Sequence, residues 1–247
     1  MTYKSKSLIS MIFALSASIS LWSQAHSTDN NRHFTLPPDM VKAKQANTNP
    51  AADANLPASG QTATQPVILN FDNLPGPEWT VIDCTGGGSG TVMHGILTIN
   101  SPSDCYEYDL FAPKGTWNQL VSNSRGWIIE TSLIVDPITE PECDDRGSVQ
   151  IWANDHTILL IVGFSTNEIC IAYPDQVHYS MNTTDSFHIY RIEAKGMHIQ
   201  IYVDGNLAID HTLSNPGGGT DTLMFGDGVG STTSLTRWDY FSYQVFP

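Results

Sequence analysis

Residues 187–205 read FHIYRIEAKGMHIQIYVDG. Through 187–193, and again through 198–203, side chains alternate broadly between apolar and polar. That period of two sends successive side chains to opposite faces of a strand. Asp204-Gly205 follows the second run. Both central positions of a type I′ turn need positive φ, and Asp-Gly tolerates this, so the stretch predicts two strands and a tight hairpin into a third at 207–211.

The same period extends in both directions. Further strands are expected over 67–71, 95–99, 127–135, 148–154, 157–164, 169–173, 223–225 and 238–245. Trp127, Ile129, Leu133 and Val135 fall on one face of their run, Gly86-Gly87-Gly88 reads as a loop, and Asn154-Asp155 marks a turn. No segment carries a helical period. Many short strands separated by Gly, Pro, Asn and Asp clusters predict an all-β sandwich or barrel.

The rest of the chain sets the context. Lys4 and Lys6 precede an apolar run from Leu8 to Trp22, and Ser23-Gln24-Ala25 offers small residues at a cleavage site. Residues 1–25 therefore read as a secretory signal peptide, since the run is shorter than the roughly 20 residues a membrane span needs. Residues 26–65, rich in Asn, Ala, Thr, Pro and Asp, have no apolar periodicity and read as a disordered spacer. Residues 66–247 are long enough for one domain with a sizeable core. Six basic residues against 22 acidic ones give that domain a formal charge of −16. Such a surface repels phosphate backbones, which excludes nucleic acid as a partner, and it disfavours anionic polysaccharides and anionic membranes. No later stretch is apolar enough for membrane insertion, and the sequence leaves oligomeric state open. Four cysteines in an exported domain predict two disulfides, with three possible connectivities. Cys84–Cys105 and Cys143–Cys170 are preferred because each closes a short loop.

The segments Phe187-His188-Ile189-Tyr190-Arg191-Ile192-Glu193 and Ile199-Gln200-Ile201-Tyr202-Val203-Asp204-Gly205 resemble a hairpin of the concanavalin A-like domains. These include the laminarinases and lichenases of glycoside hydrolase family 16 and the LamG-like jelly rolls. Trp238-Asp239-Tyr240-Phe241-Ser242-Tyr243 resembles the closing strand of that superfamily. The resemblance implies a concanavalin A-like jelly-roll β-sandwich of two antiparallel sheets. It leaves function open, because the fold hosts lectins, hydrolases, lyases and adhesion modules. It also implies a structural Ca²⁺ where the closing strand meets the opening one. Asp239 matches the ligand position, and Asp72, just after the opening strand, is the natural second contributor.

Each functional branch makes a demand on the residues. A retaining glycosidase needs two carboxyl groups about 5–5.5 Å apart. The family supplies them as E-x-D-x-x-E, a pattern missing here; the nearest echo places Cys170 and Tyr173 after Glu168. This weighs against catalysis. A lyase needs a base and a neutralising group, for which Gln150, His156 and Tyr190 are available, but Gln150-Ile151-Trp152 has Trp where a QIH triplet has His. A glycan-binding face needs an aromatic platform beside hydrogen-bonding amides. Parity along 148–154 directs Val149, Ile151 and Ala153 to the core and Gln150, Trp152 and Asn154 to the opposite face. Trp117, in a stretch read as a loop, is expected to line the same rim, whereas Trp79 and Trp127 read as core. The leading expectation is a secreted, non-catalytic, lectin-like domain recognising a neutral glycan through Gln150, Trp152, Asn154 and Trp117. The alternatives are a polysaccharide-degrading enzyme with an atypical active site, and a structural or adhesive envelope module.

Overall fold

A computed structural model describes residues 64–246, apart from 85, 103–104, 112–114, 138, 140–142, 144–148, 220 and 229–232. The signal peptide and nearly all of the spacer lie outside the described residues. Fifteen strands follow one another: β1 (Val67–Leu69), β2 (Thr80–Asp83), β3 (Ser89–Met93), β4 (Ile96–Ser101), β5 (Tyr106–Phe111), β6 (Trp127–Val135), β7 (Val149–Asn154), β8 (Leu159–Phe164), β9 (Glu168–Tyr173), β10 (Val177–Ser180), β11 (His188–Lys195), β12 (His198–Val203), β13 (Asn206–Thr212), β14 (Thr222–Asp227) and β15 (Ser234–Val245). Among the described residues one short helix, α1 (Gly115–Leu120), sits between β5 and β6. Among the described residues no helix is long and apolar enough to cross a membrane.

The strands form two antiparallel sheets. The eight-stranded sheet runs β13-β12-β11-β6-β15-β4-β3, with β1 also paired to β15; the seven-stranded sheet runs β10-β9-β8-β7-β14-β5-β2. Neighbours in space are often distant in sequence, as in any sandwich with long crossovers. The predicted hairpin forms, with Asp204 at φ 50° and Gly205 at φ 78° joining β12 to β13. Both disulfides form as preferred, with Cα–Cα separations of 5.3 Å for Cys84–Cys105 and 6.0 Å for Cys143–Cys170.

Alternation fills the space between the sheets. Ile129, Leu133, Tyr190, Ile192, Ile199 and Ile201 face inward from one layer. Tyr108, Leu110, Ile151, Val162 and Phe225 meet them from the other. Phe225 is stacked on Phe241 at 4.4 Å and on Tyr108 at 5.4 Å, and Trp79 meets its edge at 5.2 Å. Trp79 and Trp127 are buried, as expected.

Trp117 departs from expectation. Its stretch is the helix α1, not a loop, and the indole is fully buried. It packs edge-on against Trp127 and Tyr243, and Nε1 donates to the Asn154 carbonyl at 3.0 Å. A large apolar ring next to the open end of the sandwich gains more from burial than from a place on the rim. Trp117 is therefore a core residue.

Candidate functional site

The centre of the seven-stranded sheet is β7, flanked by β8 and β14. Its Val149, Ile151 and Ala153 are each about 1% exposed in the core. Gln150, Trp152 and Asn154 therefore project from the outer face, as their parity requires. The register places Gly226 and Gly163 on either side of Gln150, Met224 and Ile161 beside Trp152, and Thr222 and Leu159 beside Asn154. Gln150 and Asn154 are buried and Trp152 is half-buried. Trp152 Nε1 donates to Gln150 Oε1 at 2.5 Å, and the indole packs beside the buried outer-face cluster of Cys143, Ile161, Cys170 and Ala172. A cavity of about 410 Å³ lies over this surface. Trp152, Leu159 and Met224 form its apolar part, Asn154 and Thr222 its polar part, and Gly217 and Gly219 one side.

The end of β7 is held by a hub that orients the face. The buried Asp155 Oδ2 accepts from Trp127 Nε1 at 2.8 Å and from Asn123 Nδ2 at 3.1 Å. Its Oδ1 accepts from the backbone amides of Thr157 and Ile158 at 3.1 and 2.9 Å. The turn expected at Asn154-Asp155 thus stands at the joint of two sheets and a helix.

Two carboxyl groups missed in the sequence lie on the same outer face. In β5, Tyr106, Tyr108 and Leu110 point to the core, and Glu107 and Asp109 point outward. Their register sets Glu107 beside Gly226 and Asp109 beside Met224, one strand away from Gln150 and Trp152. Glu107 is 6% exposed and Asp109 is fully buried, with neither of its oxygens hydrogen-bonded. Burial disfavours the ionised form of each. The Asp109 carboxyl is pushed up to about 7 by burial. Glu107 is pushed up to about 8 by burial first, then by the nearby Asp109 and Asp227 carboxylates. The alternation Tyr106-Glu107-Tyr108-Asp109-Leu110 is the sequence signal that marks them, short of any longer carboxylate pattern.

The remaining candidates separate. Tyr190 is buried in the core between the sheets, so it cannot join Gln150 and His156 in a lyase site. The disulfide-bonded Cys170 lies on the outer face beside Gly163, where an added Cβ would come within 3.0 Å of Cys170 Sγ and 3.2 Å of Cys143 Sγ. Asp239 occupies an irregularity of β15 between Trp238, paired with Leu97 of β4, and Phe241, paired with Leu69 of β1. Asp72 lies three residues beyond that Leu69 pairing and accepts from Asn70 Nδ2 at 2.8 Å. Among the described residues no group of three or more His, Cys, Asp or Glu is placed to hold a metal ion. Glu130 belongs to the opposite surface, where it meets Tyr240 at 2.9 Å and Arg191 at 3.4 Å.

No protein-family model matches the chain, and no curated protein matches it. Solved structures do. The catalytic domain of an endo-1,3-β-glucanase (laminarinase) from Thermotoga petrophila RKU-1 is similar at 14% identity and a TM-score of 0.53, over 75% of this chain and 99% of that one. The endo-β-1,3-glucanase from Pyrococcus furiosus is similar at 12% identity and a TM-score of 0.54, over 76% and 96%. A β-1,3-1,4-glucanase (lichenase) derived from a mouse hindgut metagenome is similar at 14% identity and a TM-score of 0.51, over 73% and 99%. At these identities the likeness is one of fold. The two antiparallel sheets, their jelly-roll order and these neighbours together make this chain a concanavalin A-like jelly roll.

Proposed function

We propose that this chain is a secreted carbohydrate-binding protein that takes a neutral glycan on the outer face of its seven-stranded sheet. The observation that carries this reading is Trp152, set between Gln150 and Asn154 on the central strand and lining a cavity of about 410 Å³. An indole face accepts the C–H face of a sugar ring, and neighbouring amides accept and donate to its hydroxyls. The neighbours in fold act on glucans by their own descriptions, which agrees with a sugar ligand. Two disulfides and an apolar leader agree with export to an oxidising compartment.

A non-catalytic role is favoured because β7 brings no carboxylate to the cavity. The second reading is a polysaccharide-degrading enzyme, and Glu107 and Asp109 favour it. They share a face, and burial holds both near neutrality, where a carboxylic acid can donate a proton. One set of measurements separates the two. Binding to a neutral-glycan array, run beside reducing-end and 235 nm product assays, should give binding without turnover. Trp152→Ala should abolish that binding and leave Tm within a few degrees of the parent. Turnover lost in Glu107→Gln and Asp109→Asn would replace the lectin reading with the enzymatic one.

We also infer a structural Ca²⁺ at the junction of β1 and β15. Asp239 and Asp72 would hold it, with carbonyl oxygens and water completing the six to eight oxygens this ion takes. Its chemistry would be structural, joining the first strand to the last.

A further inference from the structure

The outer face of the seven-stranded sheet is walled at both ends of the Gln150–Trp152–Asn154 row. At the Asn154 end the segment after Leu213 folds back onto β8. The Leu159 amide donates to the Pro216 carbonyl at 2.8 Å, and Gly217 forms a bridge with Ile158. The approach is close enough to require glycine. Gly217 has φ +58°, and an added Cβ would stand 2.6 Å from the Tyr173 ring. At Gly218 the added atom would stand 2.3 Å from the Thr157 carbonyl oxygen. At the Gln150 end, Gly228 lies over the polar heads: an added Cβ there would meet Gln150 Oε1 at 3.0 Å and Glu107 Oε2 and Trp152 Nε1 at 3.2 Å.

Between these walls lies the cavity of about 410 Å³, near the small end of the roughly 300–1,000 Å³ that ligand pockets span. Among the described residues no charged side chain lines it. From this geometry we propose that the site takes the free end of a neutral glycan, one or two sugar units seated on Trp152, and not the interior of a long chain. A chain laid along β7 would meet backbone at both ends of the row, and one laid across the sheet would meet the buried outer-face cluster of Cys143, Ile161, Cys170 and Ala172 on the β8 side and the buried Glu107 and Asp109 beyond β14 on the other. Trp152, Leu159 and Met224 suit the C–H faces of a ring, and the Asn154 amide suits its hydroxyls. The two acids of β5, beyond β14, hold their protons up to about neutral pH, so they add no charge on that side of the ring.

The inference rests on the carbohydrate-binding reading, and the test separates the two. Calorimetric titration of the purified chain would use neutral gluco-, manno-, galacto- and xylo-oligosaccharides of one to six units. For the series that binds, affinity should level off by the disaccharide, with longer members within about twofold of it. Gly219→Ser is the accompanying variant. An added Cβ there meets only Asn154 Nδ2, at 3.2 Å, so the variant should fold with an unchanged Tm and bind the disaccharide about tenfold more weakly. Affinity that climbs tenfold or more from two units to six would overturn end recognition and leave carbohydrate binding standing. Unaltered affinity in Gly219→Ser would overturn the wall. Absence of binding across all four series would remove both readings together.

Discussion

Asp155 shows how much one side chain can hold. Its two oxygens accept four hydrogen bonds, from a tryptophan, an asparagine and two backbone amides. Asp155→Ala would leave buried donors with no partner, which costs about 1–3 kcal/mol for each that water cannot reach. The expected loss is about 2–4 kcal/mol, read as a shift in the urea midpoint with an unchanged m-value. Glu107 and Asp109 are the opposite case, side chains whose burial works against their charge. In the folded state they hold protons to about 8 and about 7, whereas in an unfolded chain both ionise near 4. The folded state therefore binds more protons across that window. Stability should be highest near pH 4 on this account and should fall as pH rises to about 8. Glu107→Gln, which stays neutral, should melt above the parent at pH 8 and close to it at pH 4. A parent whose Tm climbs between pH 5 and 8 while the variant tracks it would contradict the burial of that carboxyl.

At the scale of elements, regular strands were the legible part. The bounds expected for β6 and β12 match those observed, and β7 and β14 differ only at their ends. Alternation survives there because one face of each meets a continuous apolar layer. β5 is not legible as a strand, since its outward residues are acids that suit an exposed edge, whereas in the fold both are buried. The six residues of α1 are too few to display a helical period, so the burial of Trp117 was hidden too. For the same reason parity could name the Gln150–Trp152–Asn154 face but not its walls. The glycines that close it come from 217–219 and 228, far along the chain, and their approach depends on long-range packing. The Cys143–Cys170 bridge crosses this element boundary, spanning 27 residues. Replacing both cysteines by alanine should lower stability by about 3.5 kcal/mol in the chain-entropy model, measured by denaturant titration of the oxidised parent and the variant. An oxidised parent no more stable than the variant would remove that role.

For the whole molecule, the junction of β1 and β15 is the natural place for the inferred Ca²⁺. An ion held there would bind the folded state only, so stability should rise with its concentration. The expected result is a higher Tm in millimolar CaCl₂ than in EDTA, with the difference lost in Asp239→Ala. Coincident melts of the parent, with no metal found by elemental analysis, would remove the site.

β15 is also paired along both of its edges, with β6 on one side and with β4 and then β1 on the other. The strand that comes after all the others in the chain is therefore an interior strand of the eight-stranded sheet. Without this segment the sheet is two unjoined halves, and its most non-local pairings, between residues near 67 and near 243, cannot form until β15 is in place. The order of the strands thus ties closure of the sheet to the slowest kind of contact a folding chain makes.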